Sequence, residues 1–370
     1  MRVKYLVVGA GLTGLTVAER IANCLKENVL IVEKRGHIGG NAYDCYNADG
    51  ILVHMYGPHI FHTDRKEIYD YLSAFTQWND YQHRVLTYAD GLFMPMPITL
   101  PTMNMLYGAD FTCFEMERFL NERAVKIDPV TNSEEYILSK AGPDIYEKFF
   151  KNYTAKQWGV PASRLDPSVA ARIPVRCSPD TRYFTDKYQG IPKNGYARMC
   201  ENMTDNKKIK ILLNTDYNEI SGDIEYDCLI YTGPVDGFYG LRRGALRYRS
   251  LRFQFETIDT ESYQDAAVVN YPNDYDYTRI TEYKKITWQK HAKTSVVKEF
   301  PCDGDEPFYP YPTVENGQIY QKYKADAAAE KKVIFAGRLG EYKYYNMDEA
   351  IGRALDIFSG LQAPGKEHPP

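Results

Sequence analysis

The residues of this chain that could do chemistry gather in a few short stretches. "FFKNYTAKQWG", residues 149–159, carries four aromatic rings, two lysines and a threonine. "VAARIPVR" follows and adds Arg172 and Arg176. Aromatic faces accept a flat ring, and guanidinium forks accept phosphate oxygens. The same stretch would also suit the buried edge of a helical unit. On residue type alone, Phe149 and Phe150 read as core first, and Arg172 and Arg279 as solvated arginines.

A second cluster is Gly9-x-Gly11-x-x-Gly14, after the apolar run "KYLVV" and ahead of a helical pattern. The first glycine allows a tight turn and the second lets backbone approach a pyrophosphate. The third allows close packing, and the helix N-terminus favours the anion. Glu33 ends the next apolar run, placed to accept ribose hydroxyls. "KRGHIGGNAYD" then supplies Arg35, Gly39, Gly40 and Asn41, and "VIFAGRLG" near the C-terminus supplies Gly337 and Arg338. A second glycine cluster so close to the first suits a chain running back alongside a long cofactor, and the stretch resembles the E-x-R-x-x-x-G-G segment of FAD enzymes, which implies FAD rather than NAD alone.

These residues need elements to position them. "KYLVVGAG", a helix over 15–26 and "NVLIVEK" form a βαβ unit, which argues against reading the N-terminus as a signal peptide. "DRKEIYDYLSAF" predicts a helix capped by Asp64, and "YADGLFMPMP" a hairpin with edge prolines. Residues 103–151 hold several short helical patterns. A helix near 192–204 and strands near 209–213 and at "YDCLIYTGP" return to the α/β pattern. Residues 245–312 alternate without helical period and predict an antiparallel sheet. Arg242, Arg243, Arg247, Arg249 and Arg252 read as one solvated strand face.

The fold class expected is therefore α/β plus α plus β. A discontinuous Rossmann-like FAD domain (1–75, 190–243 and 316–360) is interrupted by a helical-bundle insertion (100–170). An antiparallel sheet domain comprises 76–99, 171–189 and 244–315, and 361–370 reads as a disordered tail. The 370 residues are 44% apolar and 25% charged with a net charge of -4, ordinary for a soluble globular protein and against bulk-electrostatic nucleic-acid binding. No apolar run is long enough for a membrane span. The seven cysteines stand singly, which predicts reduced thiols, no zinc site and a cytoplasmic protein. The 32 tyrosines are unusual and read mostly as packing.

Motifs along the chain resemble one family in order: "YGPHIFHT", "FFKNYTAKQWG", "YQGIPKNGY", "VVNYP", "YTRITEYK", "YPYP" and "AGRLGEYKYYNMD". They resemble UDP-galactopyranose mutases from about residue 3 to 360. The resemblance implies an FAD-dependent isomerase that interconverts UDP-galactopyranose and UDP-galactofuranose for surface glycans, without net redox change. It implies a reduced flavin whose N5 forms a covalent adduct with the sugar, a reductant such as NAD(P)H or a reduced flavin source, and a homodimer. It assigns Arg172 and Arg279 to the diphosphate and His59 to the flavin N5 side. Phe149, Phe150, Tyr153, Thr154, Trp158, Tyr183, Asn270, Tyr311 and Tyr344 go to the nucleotide-sugar, and Met347 to the cofactor. Asn346 departs from the family, where some members carry aspartate. Two other classes stay open on the residues: an amine-oxidase-type FAD enzyme doing hydride transfer, and a UDP-sugar-binding regulator.

Overall fold

The structure, a computed structural model, describes residues 1–304 and 306–362. Apolar runs build a five-stranded, all-parallel sheet in the order Val333–Phe335, Glu225–Tyr231, Arg2–Val8, Val29–Val32, Ile209–Leu212. Strands such as VLIV are apolar on both faces because both faces are covered. Alternate residues split between two cores. Val7, Val29, Ile31 and Ile230 meet Leu15, Met199 and Ile351 from helices Leu12–Arg20, Gly195–Thr204 and Met347–Gln362. Leu6, Leu30, Leu229 and Tyr231 meet Tyr323 from helix Val314–Ala328 on the other side.

The chain leaves this sheet twice. One excursion forms helices Leu100–Tyr107, Cys113–Arg123 and Ser133–Ile145, packed around Met103, Met116, Ile137, Phe149 and Phe150. The other forms most of a seven-stranded sheet. Its order is Tyr309–Pro310, Tyr248–Ile258, Thr294–Cys302, Arg279–Glu282, Val268–Asn270, Val85–Ala89, Leu92–Met96.

Four sequence expectations change. The seven-stranded sheet is not wholly antiparallel, because the hairpin Val85–Met96 docks its first strand parallel to Val268–Asn270. The helix expected from Asp64 spans Lys66–Ser73 with Arg65 at its N-cap, and the Asp64 carboxylate instead accepts from the Lys187 amide. The five arginines do not form one solvated strand face: Arg242, Arg243 and Arg247 precede strand Tyr248–Ile258, and Arg249 within it is 4% exposed. Of the tail expected over 361–370, the first two residues belong to the last helix and the rest lies outside the described residues.

Candidate active site

The stretch 149–159 is helical. A wide-turn segment, Tyr146–Lys151, runs directly into helix Asn152–Trp158. Phe149, Tyr153 and Gln157 are four residues apart, as are Phe150, Thr154 and Trp158, so one helix face gathers all six. That face forms one wall of a narrow slot whose opposite wall is the seven-stranded sheet, through Thr87, Met96 and Asn270. Gln157 was not singled out in the sequence; its helical spacing was the signal.

The C-terminal end of this helix is pinned from a distance. Gly159 ends it with φ +69°, and a Cβ there would lie 2.9 Å from an Arg249 nitrogen. Arg249 Nε donates to the Gln157 carbonyl (3.0 Å), and its Nη2 to the Lys156 carbonyl (3.2 Å). The Tyr311 hydroxyl donates to the Trp158 carbonyl. A cation and donors at exposed carbonyls are what a helix C-terminus requires. Lys156 extends the other way, donating to the carbonyls of Tyr271, Tyr275 and Tyr277. Arg249→Met is expected to lower stability by about 2–4 kcal/mol by stripping two carbonyls of their donors. Urea unfolding checks this.

This geometry corrects one assignment. Tyr311 is 1% exposed, with its hydroxyl occupied by Trp158, and it does not line the cleft. Tyr309 lines the cleft in its place and stacks on Tyr344 at 5.3 Å.

The slot opens into a cleft of about 540 Å³ lined by Arg172, Arg279, Tyr153, Tyr183, Tyr309, Tyr344, His59 and Arg338. Arg279 comes from a sheet strand, directly opposite Glu299 on one side and Asn270 on the other. Arg279 Nε stands 2.8 Å from a Glu299 carboxylate oxygen, an ion pair whose N–H does not align for a hydrogen bond. Burial opposes the arginine's charge, but Glu299, together with smaller contributions from Tyr153 and Tyr309, raises the pKa well above its ordinary value. Arg172 lies over the Tyr344 ring at 3.6 Å and donates to Asn346 Oδ1 at 2.7 Å. A neutral amide occupies that contact, so Arg172 has no carboxylate partner among the described residues. Burial raises the phenol of Tyr153 to about 12 and those of Tyr183 and Tyr309 above their ordinary value. All three therefore remain protonated donors at neutral pH.

A third cavity, about 370 Å³, lies at the C-terminal ends of the parallel strands. Gly9, Gly11, Glu33, Arg35, Gly39, Gly40, Asn41, Gly337, Arg338 and Met347 line it. Gly14 does not; it packs under the turn, where a Cβ would meet the Gly9 carbonyl at 2.1 Å. Gly40 carries φ +57°, and a Cβ there would lie 2.9 Å from the Gly11 Cα. Two glycine loops thus meet with only backbone between them, a cradle suited to a pyrophosphate. Both Glu33 oxygens accept backbone amides, from Ala10 (2.7 Å) and Arg35 (2.9 Å), which fixes the carboxylate while leaving lone pairs for a ribose.

His59, Arg338, Asn346 and Met347 line both this cavity and the arginine cleft. The His59 ring places Nδ1 2.9 Å from the Gly57 carbonyl, which assigns the proton to Nδ1 and leaves Nε2 as an acceptor. Burial depresses its pKa to about 4, and that of His54 and His83 to about 3. Between those values and the ordinary ~6.5, the unfolded chain binds three protons that the folded chain refuses. Burial raises Asp44 to about 6, which works in the opposite sense and offsets one. Stability is expected to fall as pH drops from 6.5 towards 4.5, because the three histidines outnumber Asp44 and unfolding takes up protons near pH 5. Unfolding free energies measured in urea at several pH values check the slope.

Among the described residues no group of histidine, cysteine or carboxylate side chains could hold a metal, and no helix is long and apolar enough to cross a membrane.

A family model described as UDP-galactopyranose mutase matches residues 148–344, and one described as NAD(P)-binding Rossmann-like domain matches 7–75. A probable UDP-galactopyranose mutase of Klebsiella pneumoniae is 38% identical over 98% of this chain and 97% of its own. The dTDP-fucopyranose mutase of Escherichia coli is 35% identical, covering 95% and 97%. The crystal structure of a reduced UDP-galactopyranose mutase superposes with a TM-score of 0.79 at 17% identity, covering 100% of this chain and 95% of that one.

Proposed function

The chain belongs to the UDP-galactopyranose mutase family, and from that membership we propose that it interconverts UDP-galactopyranose and UDP-galactofuranose with reduced FAD as cofactor. The carrying observation is the continuity of three cavities. The glycine-lined cavity shares His59, Arg338, Asn346 and Met347 with the arginine cleft, and that cleft shares Tyr153, Gln157, Trp158 and Asn270 with the aromatic slot. A nucleotide-sugar lying along this path would have its base in the slot, its diphosphate between Arg172 and Arg279, and its sugar at the junction.

The glycine-lined cavity suits FAD: the Gly11–Gly40 cradle would take the pyrophosphate, Glu33 a ribose, and Arg338 and Met347 the flavin end. When bound and reduced, the flavin would supply a nucleophile for the anomeric carbon of the sugar. The protein's own part is positional and electrostatic. Arg279, held by Glu299, and Arg172 neutralise the departing diphosphate, whose charge rises as the anomeric C–O bond breaks. Tyr153, Tyr183, Tyr309 and Tyr344 donate to its oxygens. His59, uncharged, offers Nε2 as an acceptor beside the junction. The slot excludes water and holds the base, so that the uridine diphosphate stays close enough to recombine.

The reading carries with it a reductant such as NAD(P)H or a reduced flavin source, a homodimer, and a role in galactofuranose-containing surface glycans. It also carries the division into the discontinuous FAD domain, helical domain and sheet domain set out from the sequence, except that 171–189 gives no strand to the seven-stranded sheet and packs Ile173, Val175 and Tyr183 on the helical core. The test is to incubate dithionite-reduced protein with UDP-galactofuranose and follow UDP-galactopyranose by HPLC. No pyranose product from flavin-loaded, reduced protein would overturn the proposal. Stoichiometric flavin reduction by an amine would favour the amine-oxidase alternative.

A further inference from the structure

Four polar residues lie side by side across the seven-stranded sheet. Thr87 faces Asn270, Asn270 faces Arg279, and Arg279 faces Glu299, each pair in direct register on neighbouring strands. Residues in register point to the same sheet face, so these side chains form one row. Its Arg279 end lies in the arginine cleft and its Thr87 end in the aromatic slot. Thr87 is 1% exposed and Asn270 9%, and neither the Thr87 hydroxyl nor the Asn270 Oδ1 has a hydrogen-bond partner.

Two adjacent unpartnered polar groups are costly in a wall otherwise built for packing. Valine at position 87 would fill the same space without that cost. The facing helix wall presents Phe149, Phe150 and Tyr153, so the slot offers aromatic contact opposite the polar pair. The free Asn270 oxygen calls for a donor, and the Thr87 hydroxyl can give a proton to an acceptor beside it. The edge of uracil or thymine supplies that pair, a ring N–H flanked by carbonyl oxygens.

We propose that Thr87, together with Asn270, reads the imide edge of a uracil- or thymine-type base in this slot, making Thr87 a specificity-determining residue for the nucleoside diphosphate. The proposal rests on the nucleotide-sugar reading above and names the residue that recognises its base. Ribose hydroxyls could satisfy the same two groups, but they do not account for the aromatic residues on the wall opposite.

The test compares Thr87→Val with wild type and Thr87→Ser in the flavin-loaded protein, by calorimetric binding of UDP, 2′-deoxy-UDP and ribose 5-diphosphate. Thr87→Val is expected to bind UDP and 2′-deoxy-UDP each about tenfold more weakly than wild type does, with no change for ribose 5-diphosphate. Thr87→Ser should stay near wild type. The melting temperature of Thr87→Val without nucleotide should be equal or higher, since an unpaired buried hydroxyl has been removed. Unchanged UDP affinity, a loss that disappears with 2′-deoxy-UDP, or an equal loss on ribose 5-diphosphate would each overturn the proposal. A lowered melting temperature with unaltered binding would make Thr87 a structural residue and do the same. The readout is binding, so the isomerase reading can fail on turnover while this one stands.

Discussion

Arg279→Met is expected to lower kcat/KM for the UDP-galactofuranose to UDP-galactopyranose reaction by roughly a thousandfold while the protein still binds flavin. The arginine faces the position assigned to the diphosphate, where charge grows as the anomeric bond breaks. Removing a single preorganised donor of this kind typically costs two to three orders of magnitude. The same substitution strands Glu299, which is 1% exposed and has its ion-pair partner in Arg279. An uncompensated buried carboxylate costs about 3–5 kcal/mol, so the single variant should also be less stable. The double variant Arg279→Met/Glu299→Gln separates the two effects. It should recover most of the lost stability and none of the lost activity. Recovery of turnover in the double variant would mean that Arg279 acts only by neutralising Glu299.

The second large effect concerns the oxidation state of the flavin. Protein carrying oxidised FAD should convert no UDP-galactofuranose above background, and dithionite should switch on turnover without being consumed in proportion to product. Isomerisation has no net redox change, so the reduced cofactor must emerge unchanged from each cycle. Anaerobic single-turnover and steady-state assays, with the flavin spectrum recorded alongside, check both parts. Equal rates in the two oxidation states would remove the flavin from the chemistry. They would leave the glycine-lined cavity as a structural cofactor site.

Much of the parallel sheet was legible in the sequence because its signal is local: a continuous apolar strand, a glycine turn and a helix succeed one another within about thirty residues. The glycine cradle was legible for the same reason, apart from Gly14, whose place beneath the turn agrees with its packing role. The helix at 146–158 was harder to see. Its wide turn breaks the 3.6-residue period just ahead of the aromatic residues, and their density drew attention to type rather than spacing. Tyr309 and Tyr311 are equivalent in "YPYP" until the chain is seen to leave the sheet after Pro310, which turns Tyr311 into the protein. Arg249 looked like four other arginines because its partners, the carbonyls of Lys156 and Gln157, lie more than ninety residues away in the chain. Thr87 gave no signal at all. A lone threonine in an alternating strand gains meaning only from the strand beside it.

The row from Thr87 to Glu299 also acts as a ruler. Neighbouring strands sit about 4.8 Å apart, so the step from Thr87 through Asn270 to Arg279 covers about 10 Å. That interval is set by backbone hydrogen bonds and cannot be retuned by exchanging side chains. On the proposed reading, the spacing between the group that reads one end of a ligand and the group that holds its charge is thereby locked into the sheet. Substitutions at either end can change what is recognised, but the distance between the two recognition points stays fixed, and a ligand must match it.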